Sequence, residues 1–197
     1  AVDSLTASAD YRMQLYMGDI DYKCAIVCND HLTLNFVSGA RYAHLDQDLL
    51  TTFQVAGTTT VDSHISFDGM GPRLGLEGNY KMKCGIFGYA NGMVDLLVGQ
   101  FRGSAEQRNV FIGLVGDSSI TANRLVPVLE MEIGAGWQGP QGRLRASAGY
   151  YVASWHNTMT ITSLHSGIGN VNFTTNGNNF RDTMVFDGVV LKFEFRF

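Results

Sequence analysis

The sequence predicts an all-β chain folded as an antiparallel transmembrane β-barrel of the outer-membrane type, with about eight to ten strands, seven of them visible in this chain. Three observations point there. Apolar and polar residues alternate with period two along most of the chain, which puts alternate side chains on opposite faces of a strand. The connections between alternating runs are short and long in turn. Only 16% of residues are charged, and 23 are glycine, against about 25% and 7% in ordinary soluble domains.

Each strand follows from its own pattern. Residues 9–24 set Ile20 and Tyr22 against Asp19, Asp21 and Lys23, and an apparent phase change near Gly18 predicts a β-bulge there. Residues 31–45 set Leu32, Leu34, Phe36, Ala40 and Tyr42 against Thr33, Asn35 and Arg41. Residues 67–80 oppose Met70, Leu74, Leu76 and Tyr80 to Arg73, Glu77 and Asn79. In 85–99, Ile86, Val94, Leu96 and Val98 oppose Asn91, Met93 and Asp95. Residues 125–137 place Leu125, Leu129, Met131, Ile133 and Trp137 opposite Glu130, Glu132, Gly134 and Gly136. In 143–155, Arg143, Arg145 and Ser147 face away from Leu144, Ala146, Ala148, Tyr150 and Val152. The end is clearest, with Val185, Val189, Leu191, Phe193, Phe195 and Phe197 on one side and Val190, Lys192, Glu194 and Arg196 on the other.

Segments 25–30, 81–84 and 138–142 read as short turns, and 47–66, 103–124 and 156–181 as long loops rich in Gly, Ser, Thr and Asn. Pro72 and Pro127 fall inside strands, where each removes a ladder donor, and are expected near the long-loop ends, where pairing frays or bulges.

Composition bounds the function. A length of 197 residues fits one all-β domain, so residues 1–197 are expected as a single unit. A net charge of −4 gives no basic footprint for nucleic acid. No run reaches the roughly 18 consecutive apolar residues of a spanning helix, and mean hydropathy is +0.01. With 45% hydrophobic residues the chain can bury a core.

Alternation alone leaves open which face is outside. The polar face carries Asp19, Asp21, Lys23, Arg41, Arg73, Glu77, Asp95, Glu130, Glu132, Arg143, Arg145, Lys192, Glu194 and Arg196, seven acids and seven bases. A soluble lipocalin-like ligand binder would turn these to water. The scarcity of surface charge disfavours that arrangement. So do the aromatics at strand ends, Tyr80, Trp137 and Phe197 near the short turns and Tyr42 and Tyr150 toward the loops, which suit interfacial girdles. The charged face is therefore expected to line the lumen.

The run FDGMGPRLGLEG at 67–78, CGIFGYANGMVDLLVGQFRG at 84–103, VPVLEMEIGAGW at 126–137, GRLRASAGYYVASWHN at 142–157, FDGVVLKFEFRF at 186–197 and GARYAHLDQ at 39–47 occur in an order that resembles the Legionella-type pore-forming outer-membrane protein family, also common in planctomycetes. The resemblance implies location in the cell outer membrane, a pore for passive passage of small solutes or ions, and no catalytic residues. It also implies strands N-terminal to this region. Seven strands is an odd number where a barrel with both ends periplasmic needs an even one, so an upstream strand is expected to be missing, or residues 1–8 or 110–115 to supply one. The alternative function is a non-conducting structural or surface-interaction barrel with a salt-bridged interior, in which Glu132 meets Arg145.

Other sites are weak. Gly116-Asp117-Ser118-Ser119 echoes a serine-hydrolase nucleophile block, but neither His156 nor His165 has an Asp three residues before it, and the hydroxyl needs such a base. A turn-forming loop is the simpler reading, and no enzyme activity is expected. Cys24, Cys28 and His31 approach a zinc spacing. The turns also admit a disulfide from Cys84 to Cys24 or Cys28, or plain reduced thiols, and no metal or cofactor is expected. His44, His64, His156 and His165 are expected as solvated groups, and Phe53, Phe111 and Phe173 as loop residues that pack within or between loops. Expected partners are outer-membrane lipid, small solutes or ions, further copies of the chain and neighbouring envelope proteins.

Overall fold

A computed structural model describes residues 6–54, 58–139, 143–161 and 181–195. Seven antiparallel strands, β1 (Thr6–Cys28), β2 (Leu32–Gln54), β3 (Thr58–Lys81), β4 (Ile86–Asn109), β5 (Gly113–Gln138), β6 (Leu144–Thr158) and β7 (Asp182–Phe195), form one curled half-barrel sheet in sequence order. Among the described residues no helix is long and apolar enough to cross a membrane. Among the described residues β1 and β7 each pair on one side, and both run from the long-hairpin end toward the short-turn end. Direct pairing between them would be parallel. An antiparallel closure takes an odd number of further strands in between.

The apolar face is outside. Ile20, Val98, Met131, Val189 and Phe193 are 62–81% exposed. Together with Leu74, Leu76, Val94, Leu96 and Ile133 they make a belt, bounded below by Tyr80 and Trp137 and above by Tyr42, with Tyr150 inside it beside Ile133 and Val189. A lipid-facing band of about 25 Å between aromatic girdles has this form.

Three expectations need correction. The segments 47–66 and 103–124 are largely strand, because β2 pairs with β3 out to Gln54↔Thr58 and β4 with β5 out to Asn109↔Gly113. Beyond the belt the outward face meets headgroups and water, so it carries Asp, Asn, Thr and Ser and loses the apolar signal. Pro72 and Pro127 consequently lie mid-strand, both level with Leu96, and the β3–β4 ladder skips Gly71 and Pro72. Finally, Gly18 pairs regularly with Tyr42, and the bulge falls at Ile26, between Ala25 and Val27. The phase does not change at Gly18. The inward face itself changes from Met13, Leu15 and Met17 to Asp19, Asp21 and Lys23.

The short turns close by backbone bonds from Asn29 to Leu32, Met82 to Ile86 and Gly139 to Leu144 (2.8–2.9 Å). The β3–β4 turn adds a single 3-10 turn, Lys83–Gly85, in which Cys84 (φ 63°) and Gly85 (φ 76°) take left-handed backbone, a conformation glycine adopts without steric cost.

Candidate functional site: the lumen

Inward side chains fill the half-barrel in three tiers. At the short-turn end Lys23, Asn35, Glu77, Arg145, Lys192 and Glu194 border a polar basin of about 250 Å³. Lys23 donates to Glu77 (2.6 Å), and Lys192 donates to both oxygens of Glu132 (2.6 and 2.8 Å), which also accepts from Tyr89 (2.8 Å). The Tyr89 ring lies where a Cβ on Gly134 or Gly149 would stand, 2.6 and 2.4 Å from its hydroxyl oxygen. Glycine at both positions is thus a condition for this arrangement. Arg145 lies 4.0 Å above the Phe87 ring.

Above the basin is an ionic layer. Arg41 on β2 donates through Nε and Nη2 to the two oxygens of Asp19 (2.7 Å each), and through Nη1 to Asp95 (2.8 Å) and Glu130. Arg73 on β3 donates to both Asp95 oxygens (3.0 and 2.9 Å) and to Glu130 (2.9 Å), and its Nε stands 3.7 Å from Asp21. Tyr151 donates to Glu130 at 2.7 Å. The side chains of Arg41, Asp95 and Glu130 are at most 5% exposed, so the layer is desolvated.

The third tier is apolar. Leu45, Ile65, Phe67, Leu97, Phe101, Val126, Val128 and Trp155 form its centre, with the Phe67 and Phe101 rings stacked at 4.4 Å. At the end of β6 the chain turns inward at Asn157 (φ 61°), and Thr158, Met159 and Ile161 are buried. Arg124 donates to the Thr158 carbonyl (3.1 Å) and Gln47 to that of Met159 (3.2 Å). Side chains of the wall thus hold residues 158–161 against the interior.

Of the fourteen charged residues expected in the lumen, twelve lie on the inward faces of β1–β7. Arg143 is exposed in the turn before β6, and Arg196 lies outside the described residues. Glu132 does not meet Arg145. Trp155 pairs with Val128, so Glu132 stands opposite Tyr151 and Arg145 opposite Gln138, four residues from the register that contact needs. Sequence reasoning missed Arg124, Tyr89 and Tyr151. Arg124 fell in a segment read as loop, whereas Tyr89 and Tyr151 carried a findable signal, their place on the inward parity.

Cys24, Cys28 and Cys84 are exposed free thiols. The bulge at Ile26 puts Cys24, opposite outward Phe36, and Cys28, opposite inward Thr33, on different faces. Among the described residues no group of three or more His, Cys, Asp or Glu is placed to hold a metal. Ser118 and Ser119 belong to β5, paired with Ala105 and Ser104, and His156 meets Ser154 instead (3.1 Å). His44 is tied down rather than simply solvated, with Nδ1 2.7 Å from Asp68 and Nε2 2.8 Å from Asp46, and His64 is bonded to Asp48 at 2.7 Å. Phe111 is 76% exposed, and Phe53 is 40% exposed. His165 and Phe173 lie outside the described residues.

A family model described as Legionella pneumophila major outer membrane protein precursor matches residues 3–193. The chain belongs to this outer-membrane protein family, and its belt-forming β-sheet fits that location. No curated protein and no solved structure matches it.

Proposed function

We propose that this outer-membrane barrel is a passive pore for small solutes or ions, closed in the conformation described above. The observation that carries the reading is the Arg41–Arg73–Asp95–Glu130 layer. Burying ionised groups at membrane depth is costly, and apolar residues of similar volume are often as stable or more so. An interior whose task was only to fill space would favour apolar side chains there. An ionic cross-section continuous with a polar basin is what a hydrated path requires. Opening it takes withdrawal of residues 158–161 and rehydration of the layer. The barrel catalyses no reaction in this reading, and it needs no cofactor. Its partners are outer-membrane lipid, the permeating solute and neighbouring barrels.

A second reading, a non-conducting structural barrel, is favoured by the apolar tier itself, which packs without exposed surface inside the curl of the sheet. Planar-bilayer recording separates the two. The pore reading expects infrequent discrete steps from the wild type and a much higher open fraction from Met159→Asp/Ile161→Asp. Silence from both proteins, each showing the heat-modifiable gel mobility of a folded barrel, would leave the structural reading standing.

A further inference from the structure

The turn between β4 and β5 is the least expected surface of the molecule. Val110, Phe111, Ile112, Leu114 and Val115 are 51–78% exposed, interrupted only by Gly113 in left-handed backbone (φ 82°). The ladder passes from Gln107↔Gly116 to Arg108↔Leu114, and this bulge at Val115 leaves two successive apolar side chains, Leu114 and Val115, exposed. Exposed apolar runs this long oppose solubility unless they serve a contact.

The tip is also pre-ordered. Val110 N–H donates to the Thr58 carbonyl (3.1 Å), Phe111 N–H donates to the Asn109 side chain (2.9 Å), and the Asn109 amide donates to the Thr59 hydroxyl (2.9 Å). The backbone donors of Val110 and Phe111 are thereby already satisfied, which lowers the cost of their entering an apolar phase. Val110 follows the end of β4, twelve positions on from Val98 at the top of the belt. At about 3.3 Å per residue and a tilt near 40°, the tip stands roughly 30 Å above the chain's own bilayer. It cannot dip back into that membrane.

We propose that this tip inserts shallowly into the surface of an apposed lipid membrane. Size selects lipid over protein. A stable protein interface takes about 20–30 residues a side, and the tip offers five on a convex turn. A bilayer surface needs no matching shape and rewards each apolar side chain that enters it. The run 110–115 carries no charge, and the nearest cation, Arg108, is paired with Glu106, so a zwitterionic surface suffices. This inference stands whether or not the lumen conducts.

The test uses the full chain in nanodiscs and separate vesicles of neutral phosphatidylcholine. The expected result is co-flotation of wild-type discs with the vesicles, a drop of about tenfold in the bound fraction for Phe111→Asp/Ile112→Asp, and a blue-shifted emission from Phe111→Trp on adding vesicles. Heat-modifiable mobility confirms that each variant is folded. Equal flotation of wild type and the Asp variant, or none by either, would overturn the proposal. So would wild-type discs that pair with one another without vesicles and lose that pairing in the Asp variant, since the occupant would then be a second copy.

Discussion

Replacing Arg41 by Met keeps most of the side-chain volume and removes the charge that joins Asp19, Asp95 and Glu130. Arg41 is 4% exposed and its partners Asp95 and Glu130 at most 5%, so little solvent is present to compensate. Taking one partner from a buried ion pair costs about 3–5 kcal/mol. Arg73 still reaches Asp95 and Glu130, and Tyr151 still donates to Glu130, which places the expected loss near the lower bound, about 3 kcal/mol. That is about a hundredfold in the folded-to-unfolded ratio. The comparison variant is Asp19→Asn, whose carboxylate is 30% exposed and whose loss should approach the surface value, about 1 kcal/mol. Urea-driven unfolding from phosphatidylcholine vesicles, followed by the emission of core-buried Trp155, measures both. Arg41→Met/Glu130→Leu should recover part of the loss, because an apolar replacement removes a buried acid along with its missing partner. If Arg41→Met cost no more than Asp19→Asn, the layer would be hydrated and the account of a closed, dry cross-section wrong.

Two further outcomes follow from the ends of the belt. His44 faces a carboxylate oxygen with each ring nitrogen, that of Asp68 with Nδ1 and that of Asp46 with Nε2. The hydrogen bond to Asp68, aided by that to Asp46, raises its pKa against the opposing effect of burial, and the same bond from His44 lowers that of Asp68. The histidine's contribution is fully present below its unfolded value and is lost as pH rises through the raised one. The aspartate's contribution is present above its unfolded value and is lost as pH falls through the lowered one. The pair therefore stabilises most between about pH 4 and 6.5. His44→Gln should shift the urea midpoint more at pH 5.5 than at pH 9, and equal shifts would refute the linkage. At the other end, Cys28 and Cys84 are exposed beside the short turns, which belong on the periplasmic side. A membrane-impermeant maleimide should label them only after the outer membrane is permeabilised. Labelling in intact cells would invert the barrel, and a mobility shift without reductant would reveal a bridge from Cys84 to Cys24 or Cys28.

Period-two alternation sufficed for the seven strands and for the inward set from Asp19 to Glu194, because both faces of a membrane strand are chemically distinct. It failed where one solvent changes. Above Tyr42 and Val98 the outward face is wet, so Asp46, Asp48, Asn123 and Thr121 read as loop although they sit in ladders. Register was equally hidden. The meeting of Arg41 with Asp95 and Glu130 depends on the curl of the sheet across β2–β5 and not on any local spacing. The apparent break at Gly18 misled for the opposite reason, since this lumen is apolar in one tier and charged in the next without any change of phase.

Each strand from β2 to β6 pairs with its two sequence neighbours, and that serial order governs more than shape. Every pairing among the described strands joins segments adjacent in the chain, so its entropic cost stays local and hairpins can add one after another. A hairpin duplicated or deleted leaves the pairing of the others intact and changes only the circumference, which scales with strand number. In such an architecture the bore of the barrel is a quantity that gene-level insertion can adjust in steps, while the chemistry of each existing tier is carried along unaltered.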